Sequence, residues 1–226
     1  MTPATALTLT AAACLLLSSS TARASVEAGE GGALPSFDLE NLTDRAETLF
    51  HTFTETPADM PQEIAAQNIA AFLDTIKQAE GTAQAVNPYG VCYSYRHTIG
   101  DFSDHPAITG EWRGERLPDA MCANAGFGPG CVSTAAGAYQ IIKPTWRTIA
   151  GALGLRDFGP SSQDAAAVEL IRRRGALEDV KAGRVAAAIG KCRNEWASLP
   201  GNYARQGQRS MGDLIAWYQQ NGGTTA

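Results

Sequence analysis

Glu80 is the residue whose type and position most directly suggest chemistry. It lies four residues after Ile76 and seven after Leu73, in a segment where Ala65, Ile69, Phe72, Leu73 and Ile76 recur at helical spacing. That spacing puts its carboxyl on the apolar face of a helix rather than on the wet one. Gly81 follows at once, where a helix would end. Desolvation disfavours the ionised form there, and so does the negative end of the helix dipole. A glutamic acid kept protonated near neutral pH is what general-acid cleavage of a glycosidic bond requires. Spacing alone favours instead a helix-ending glutamate that simply bends into solvent.

The elements around this residue follow from period and punctuation. The helix carrying Glu80 is expected from Pro61 or Gln62 onward, with Pro61 in a first-turn position. Between Val86 and Cys131 the helical period disappears. Tyr89, Val91, Tyr93 and Tyr95 alternate as in a strand, and glycines and prolines mark turns, so this stretch reads as a small β-lobe with long loops. Helices return at Thr145–Leu153 and after Ser161-Ser162-Gln163-Asp164, which resembles a capping box opening a helix that Gly175 ends. Two more follow, at Val185–Leu199, stopped by Pro200, and from Met211 to Tyr218, closed by Asn221-Gly222. The expected class is α+β, mostly α.

Composition narrows the function. The chain has 226 residues, 44% hydrophobic, with 18 Lys+Arg against 23 Asp+Glu. The formal charge of -5 and the lack of any basic run longer than Arg172-Arg173-Arg174 argue against nucleic acid as a partner. No stretch predicts a permanent membrane anchor. Residues 1–24 read as a secretory signal peptide. An apolar run from Leu7 to Leu17 is followed by Ala22-Arg23-Ala24, which fits a cleavage site, although the n-region lacks Lys and Arg. The expected location is therefore exported, periplasmic or secreted. Residues 25–60 read as a linker and an accessory amphipathic helix, Asp38 to Phe53, and residues 61–226 as the catalytic domain. Cleavage would leave Cys92, Cys122, Cys131 and Cys192, an even number with three disulfide connectivities. Cys122 and Cys131 flank a Gly/Pro-rich turn that makes a local bridge easy. Cys192 lies on a buried stripe and suits a core thiol as well as a disulfide. Zinc is the weaker reading, because no C-x-x-C pair is present and the three histidines are scattered.

Six blocks of residues carry a family resemblance. They are Phe72-Leu73-Asp74 through Ala79-Glu80-Gly81-Thr82; Asp101-Phe102-Ser103-Asp104-His105-Pro106; Ser133 through Gly137-Ala138-Tyr139-Gln140; and Leu153-Gly154-Leu155-Arg156-Asp157-Phe158 with Ser162-Gln163-Asp164-Ala165. Arg174-Gly175-Ala176-Leu177 and Trp196-Ala197-Ser198-Leu199-Pro200-Gly201 complete them. In order and spacing they resemble the bacteriophage lambda endolysin family of lysozyme-like lytic transglycosylases. The resemblance implies a lysozyme-like fold with a small β-lobe and a cleft between lobes. It implies cleavage of the bond between N-acetylmuramic acid and N-acetylglucosamine in peptidoglycan glycan strands, with Glu80 as the acid. No cofactor is expected, since proton transfer on a sugar needs none.

Other positions follow from the same resemblance. Tyr139 would offer a flat face to a sugar and Gln140 a donor and acceptor to an acetamido group. The competing reading makes both the buried start of the next helix. Tyr203 resembles a later cleft tyrosine. Asp101 and Asp104 are candidates for a second carboxylate or for substrate contact, against a role in turn capping. The chain departs from the phage pattern in its signal segment, its extra N-terminal helix and an insertion from Glu111 to Cys131. These fit exported wall remodelling. Whether the insertion narrows the cleft or meets a cell-envelope protein partner is left open. Two rival functions stand beside the transglycosylase, a hydrolytic muramidase using water and a non-catalytic peptidoglycan-binding module.

Overall fold

The structure, a computed structural model, describes residues 60–202 and 207–226. The signal segment, the linker, the accessory helix and Tyr203 lie outside the described residues. The long helix α1, Met60–Ala79, runs through the centre of the domain. Its stripe of Ala71, Phe72, Leu73, Ile76 and Ala79 is buried. The helical turn continues one residue further, where the Glu80 N–H donates to the Ile76 carbonyl, and Gly81 then turns left-handed at φ 76°. The expected Gly81 stop is thus realised by the one residue type without a Cβ penalty there.

The stretch from residue 82 to 142 is less regular than the alternation of its tyrosines suggests. The expected strand through Tyr89–Tyr95 is replaced by short 3₁₀ turns at Pro88–Gly90 and Tyr93–Tyr95. Local bonding explains the difference. The Asn87 side chain accepts from the Tyr89 N–H and opens the first turn. Ser94 and Tyr95 have φ of 52° and 57°, outside the extended region. Isolated bridges from Val91 to Thr98 and from Cys92 to Ala136 are the remnant of strand pairing here. The regular sheet among the described residues is one antiparallel pair, β1 Glu115–Arg116 on β2 Val132–Ser133. Two short helices, α2 Pro106–Thr109 and α3 Asp119–Asn124, complete the stretch.

The C-terminal half is helical: α4 Lys143–Leu153, α5 Pro160–Arg173, α6 Leu177–Lys181, α7 Val185–Cys192 and α8 Met211–Gln220. Helices α5, α6 and α8 pack on α1, and α7 packs on α6 and α8. Two expectations change. Helix α5 starts at Pro160 with Gly159 as its cap, and Asp157 accepts from Gly159 N and Ser162 Oγ. Gln163 is then free to turn inward. Helix α7 ends seven residues before Leu199, because the Asn202 amide takes the carbonyls of Arg193 and Trp196 that a continuing helix would have used. Cys122 and Cys131 form a disulfide. Cys92 and Cys192 are buried free thiols, so the second bridge that an even count suggested is not made. Burial pushes both thiols up to about 12, which keeps them protonated. Among the described residues no helix is long and apolar enough to cross a membrane.

Candidate active site

Glu80 sits where α1 ends and three distant segments meet it. Ser198, buried in the turn after α7, donates its hydroxyl to Glu80 Oε1 at 2.6 Å. Tyr95 donates its hydroxyl to the Gly81 carbonyl at 2.6 Å. Thr82 is buried and donates to the Ala138 carbonyl at 2.6 Å, and more weakly to the Lys77 carbonyl at 3.2 Å. The end of the helix is thereby tied to the turn at residues 137–140. Part of the Glu80 residue remains exposed, while its carboxyl is packed deeply enough to lose most of its hydration. Desolvation raises its pKa above the ordinary glutamate value. The Ser198 hydrogen bonds and the charge of Arg209 pull the other way without cancelling it. A hollow of about 300 Å³ lies alongside, lined by Gln78, Gly81, Ala83, Gln84, Arg209 and Trp217.

The structure divides the other candidates sharply. Tyr139 is not a platform for a sugar. Its ring is 1% exposed and its hydroxyl donates to Asp164 Oδ1 at 2.5 Å, with Tyr89 donating to the same carboxylate. Burial together with this anion raises the Tyr139 phenol far above its usual value. It belongs to the core, as the competing reading had it. Gln140 is half-buried in a left-handed conformation at φ 48°. Its amide nitrogen is committed to the Val91 and Gly137 carbonyls, so among the described residues only its carbonyl oxygen is left for a ligand.

The carboxylates of the loop are likewise committed. Asp104 accepts from the indole N–H of buried Trp146 at 2.7 Å and from the His105 N–H. That gives Asp104 an anchoring role through Oδ1. Asp101 caps the Ser103 N–H, and the Ser103 hydroxyl together with that N–H lowers its pKa. His105 is fully buried, and burial holds it below its ordinary value. Its Nδ1 accepts from Ala107 N, which leaves Nε2 as the donor to the Ile141 carbonyl. Packing also explains Gly137, since a Cβ there would stand 2.1 Å from Gln163 Oε1. That oxygen accepts from Ala138 N, while Gln163 Nε2 donates to the Tyr89 and Phe158 carbonyls.

Sequence reasoning missed Ser198, Tyr95 and Arg209 as neighbours of the acid. Ser198 lay within a matched block, which was the signal available. Tyr95 was read as one of several alternating tyrosines, and nothing in the sequence singled out Arg209.

A central helix ending in one desolvated glutamic acid, with a small β-pair and loops on one side and helices on the other, defines a lysozyme-like glycosidase. Comparison with known proteins agrees. A family model described as endolysin matches residues 70–225. The endolysin of Escherichia phage P2 is 39% identical over 160 residues, covering 71% of this chain and 96% of its own length. The endolysin of Escherichia phage lambda is 36% identical over 162 residues, covering 68% of this chain and 90% of its own. Bacteriophage lambda lysozyme solved in complex with a chitohexasaccharide superposes with a TM-score of 0.59 at 34% identity, over 71% of this chain and 97% of that one. Another structure of lysozyme from bacteriophage lambda gives 0.55 and 31% over the same shares. The chain therefore belongs to the endolysin family, enzymes of the peptidoglycan-cleaving glycosidase class.

Proposed function

We propose that this enzyme is a lytic transglycosylase acting on peptidoglycan glycan strands, with Glu80 as acid and then base. The observation that carries the reading is the contrast among its carboxyls. Glu80 has a desolvated carboxyl held by Ser198, whereas Asp101, Asp104 and Glu111 each accept from other nearby donors. A two-carboxylate scheme needs a second group free to activate water or to attack C1. Here the committed acids favour an internal nucleophile.

The steps then balance on one residue. Protonated Glu80 transfers its proton to the glycosidic oxygen as the C1–O bond of the N-acetylmuramic residue breaks and N-acetylglucosamine leaves. The Glu80 carboxylate next removes the proton from the C6 hydroxyl of the muramic sugar as that oxygen bonds to C1. The product is a 1,6-anhydromuramic end, and Glu80 is protonated again. Holding the ring with its C6 hydroxyl near C1 supplies the effective concentration that lets it outcompete water. The chitohexasaccharide in the lambda lysozyme complex supports a glycan ligand.

Mass spectrometry of digested peptidoglycan tests the reading. Anhydromuramic ends are expected. Reducing muramic ends without the anhydro form would establish the hydrolytic muramidase instead. Failure of both wild type and Glu80→Gln to cleave would leave the binding module. We further propose export through residues 1–24. N-terminal sequencing of protein recovered outside the cytoplasm is expected to begin at Ser25, and an intact Met1 would refute it.

A further inference from the structure

Arg209 bonds Ser198 and Ala79, the residue before Glu80. Its backbone N–H donates to the Ser198 carbonyl at 2.8 Å, and its Nε donates to the Ala79 carbonyl at 3.2 Å. Ser198 in turn donates to Glu80, which is covalently joined to Ala79. Ala79, Glu80, Ser198 and Arg209 thus close a ring made of hydrogen bonds and one stretch of chain. The guanidinium lies 5.9 Å over the Trp217 ring of α8, which limits where the side chain can swing.

We propose that Arg209 is a positioning residue for Glu80. It clamps the Ser198 hydroxyl onto Oε1 and so fixes the carboxyl that carries and delivers the proton. This rests on the reading of Glu80 as the acid. Losing the clamp would let Ser198 and the end of α1 drift apart, and small displacements of an acid are costly in rate.

Electrostatics give the clamp a signature that packing alone lacks. Among the groups around the acid, Arg209 is the charge that favours its ionised form. Tyr95 bonds the neighbouring Gly81 carbonyl through its hydroxyl. Lys77, one turn back on α1, is paired with Asp74. Removing the Arg209 charge therefore leaves burial less opposed, and Glu80 should hold its proton to higher pH.

The test uses the full chain with Arg209→Gln and Arg209→Lys, read by carbon-13 titration of the Glu80 carboxyl and by kcat and KM on soluble glycan strands. Arg209→Gln is expected to lower kcat about tenfold with KM nearly unchanged. It should also raise the Glu80 midpoint and the alkaline limb of kcat by about half a pH unit or more. Arg209→Lys should keep the wild-type midpoint and recover part of kcat. An Arg209→Gln midpoint equal to wild type would overturn the proposal, as would equal losses of kcat in both variants. Should Arg209→Gln fail to fold, Arg209→Lys is compared in the Ser198→Ala background. There the ring is already open and no further loss of kcat is expected, so additive losses would overturn the clamp. Wild-type cleavage by Glu80→Gln would remove the reading of the acid, while the titration would still decide whether Arg209 sets its proton affinity.

Discussion

Two glutamates in differently built regions of the molecule show how a fold decides what a carboxyl does. Glu80 ends the central helix, desolvated, with the Ser198 hydroxyl as its hydrogen-bond donor. Glu111 lies in the loop-rich stretch, where it accepts from Gly100 N at 2.7 Å, Asp101 N at 3.1 Å and His97 Nε2 at 2.9 Å. Burial is the largest single influence on Glu111 and pushes it up, but these three donors together outweigh it and hold its pKa below the ordinary value. The helical region makes a proton donor by withholding water more than its partners can offset. The loop region spends its acids as acceptors that organise backbone no ladder can satisfy.

The strongest way to break this comparison is Glu80→Gln. A general acid contributes about 10²–10⁴-fold, so loss of cleavage by about three orders of magnitude is expected. Reaction kinetics on isolated glycan strands measure it, and activity within tenfold of wild type would contradict the role.

The loop region should respond in stability instead. Replacing both Cys122 and Cys131 by serine opens the loop that their bond closes and is expected to cost about 2–3 kcal/mol. Denaturant unfolding reads this, while the pH limb set by Glu80 stays in place. Asp104→Ala would strand the buried Trp146 indole N–H and should cost about 1–3 kcal/mol. Glycan affinity measured by calorimetry should not change. A weakened affinity with unchanged stability would make Asp104 a substrate contact.

The smallest effects sharpen the contrast through its sign. Glu80 binds its proton more tightly folded than unfolded. Its stabilising contribution is therefore full below the ordinary glutamate pKa and fades as pH rises through the raised folded value. Glu80→Gln, which keeps an acceptor for Ser198, should melt at a higher temperature than wild type at neutral pH, with the gap closing in acid. Glu111 runs the opposite way. Its contribution is present above the ordinary value and lost as pH falls through the lowered folded one. In melting curves across pH, Glu111→Gln should therefore show its loss of stability near neutrality and not in acid. Matching pH trends for the two variants would sink the comparison.

Much of the helical framework was legible in the chain. The stripe from Phe72 to Ile76, the position of Glu80 after it and the left-handed Gly81 are consequences of a local period and a local steric rule. The last helix and its Asn221-Gly222 end read equally well. The local disulfide was one of the open pairings, and a sequence separation of nine around a Gly/Pro turn was enough to reach it.

What the tertiary structure alone decided is which side chain meets which. Tyr139 and Gln163 look like site and cap in sequence, yet both point into the core, because Asp164 and the Tyr89, Phe158 and Ala138 backbones are waiting there. Ser198 reaches Glu80 across 118 residues and Arg209 reaches Ala79 across 130. Period and propensity act over a few residues. The donors that set the proton affinity of an acid arrive from wherever the chain returns, and that is settled only when the helices have packed.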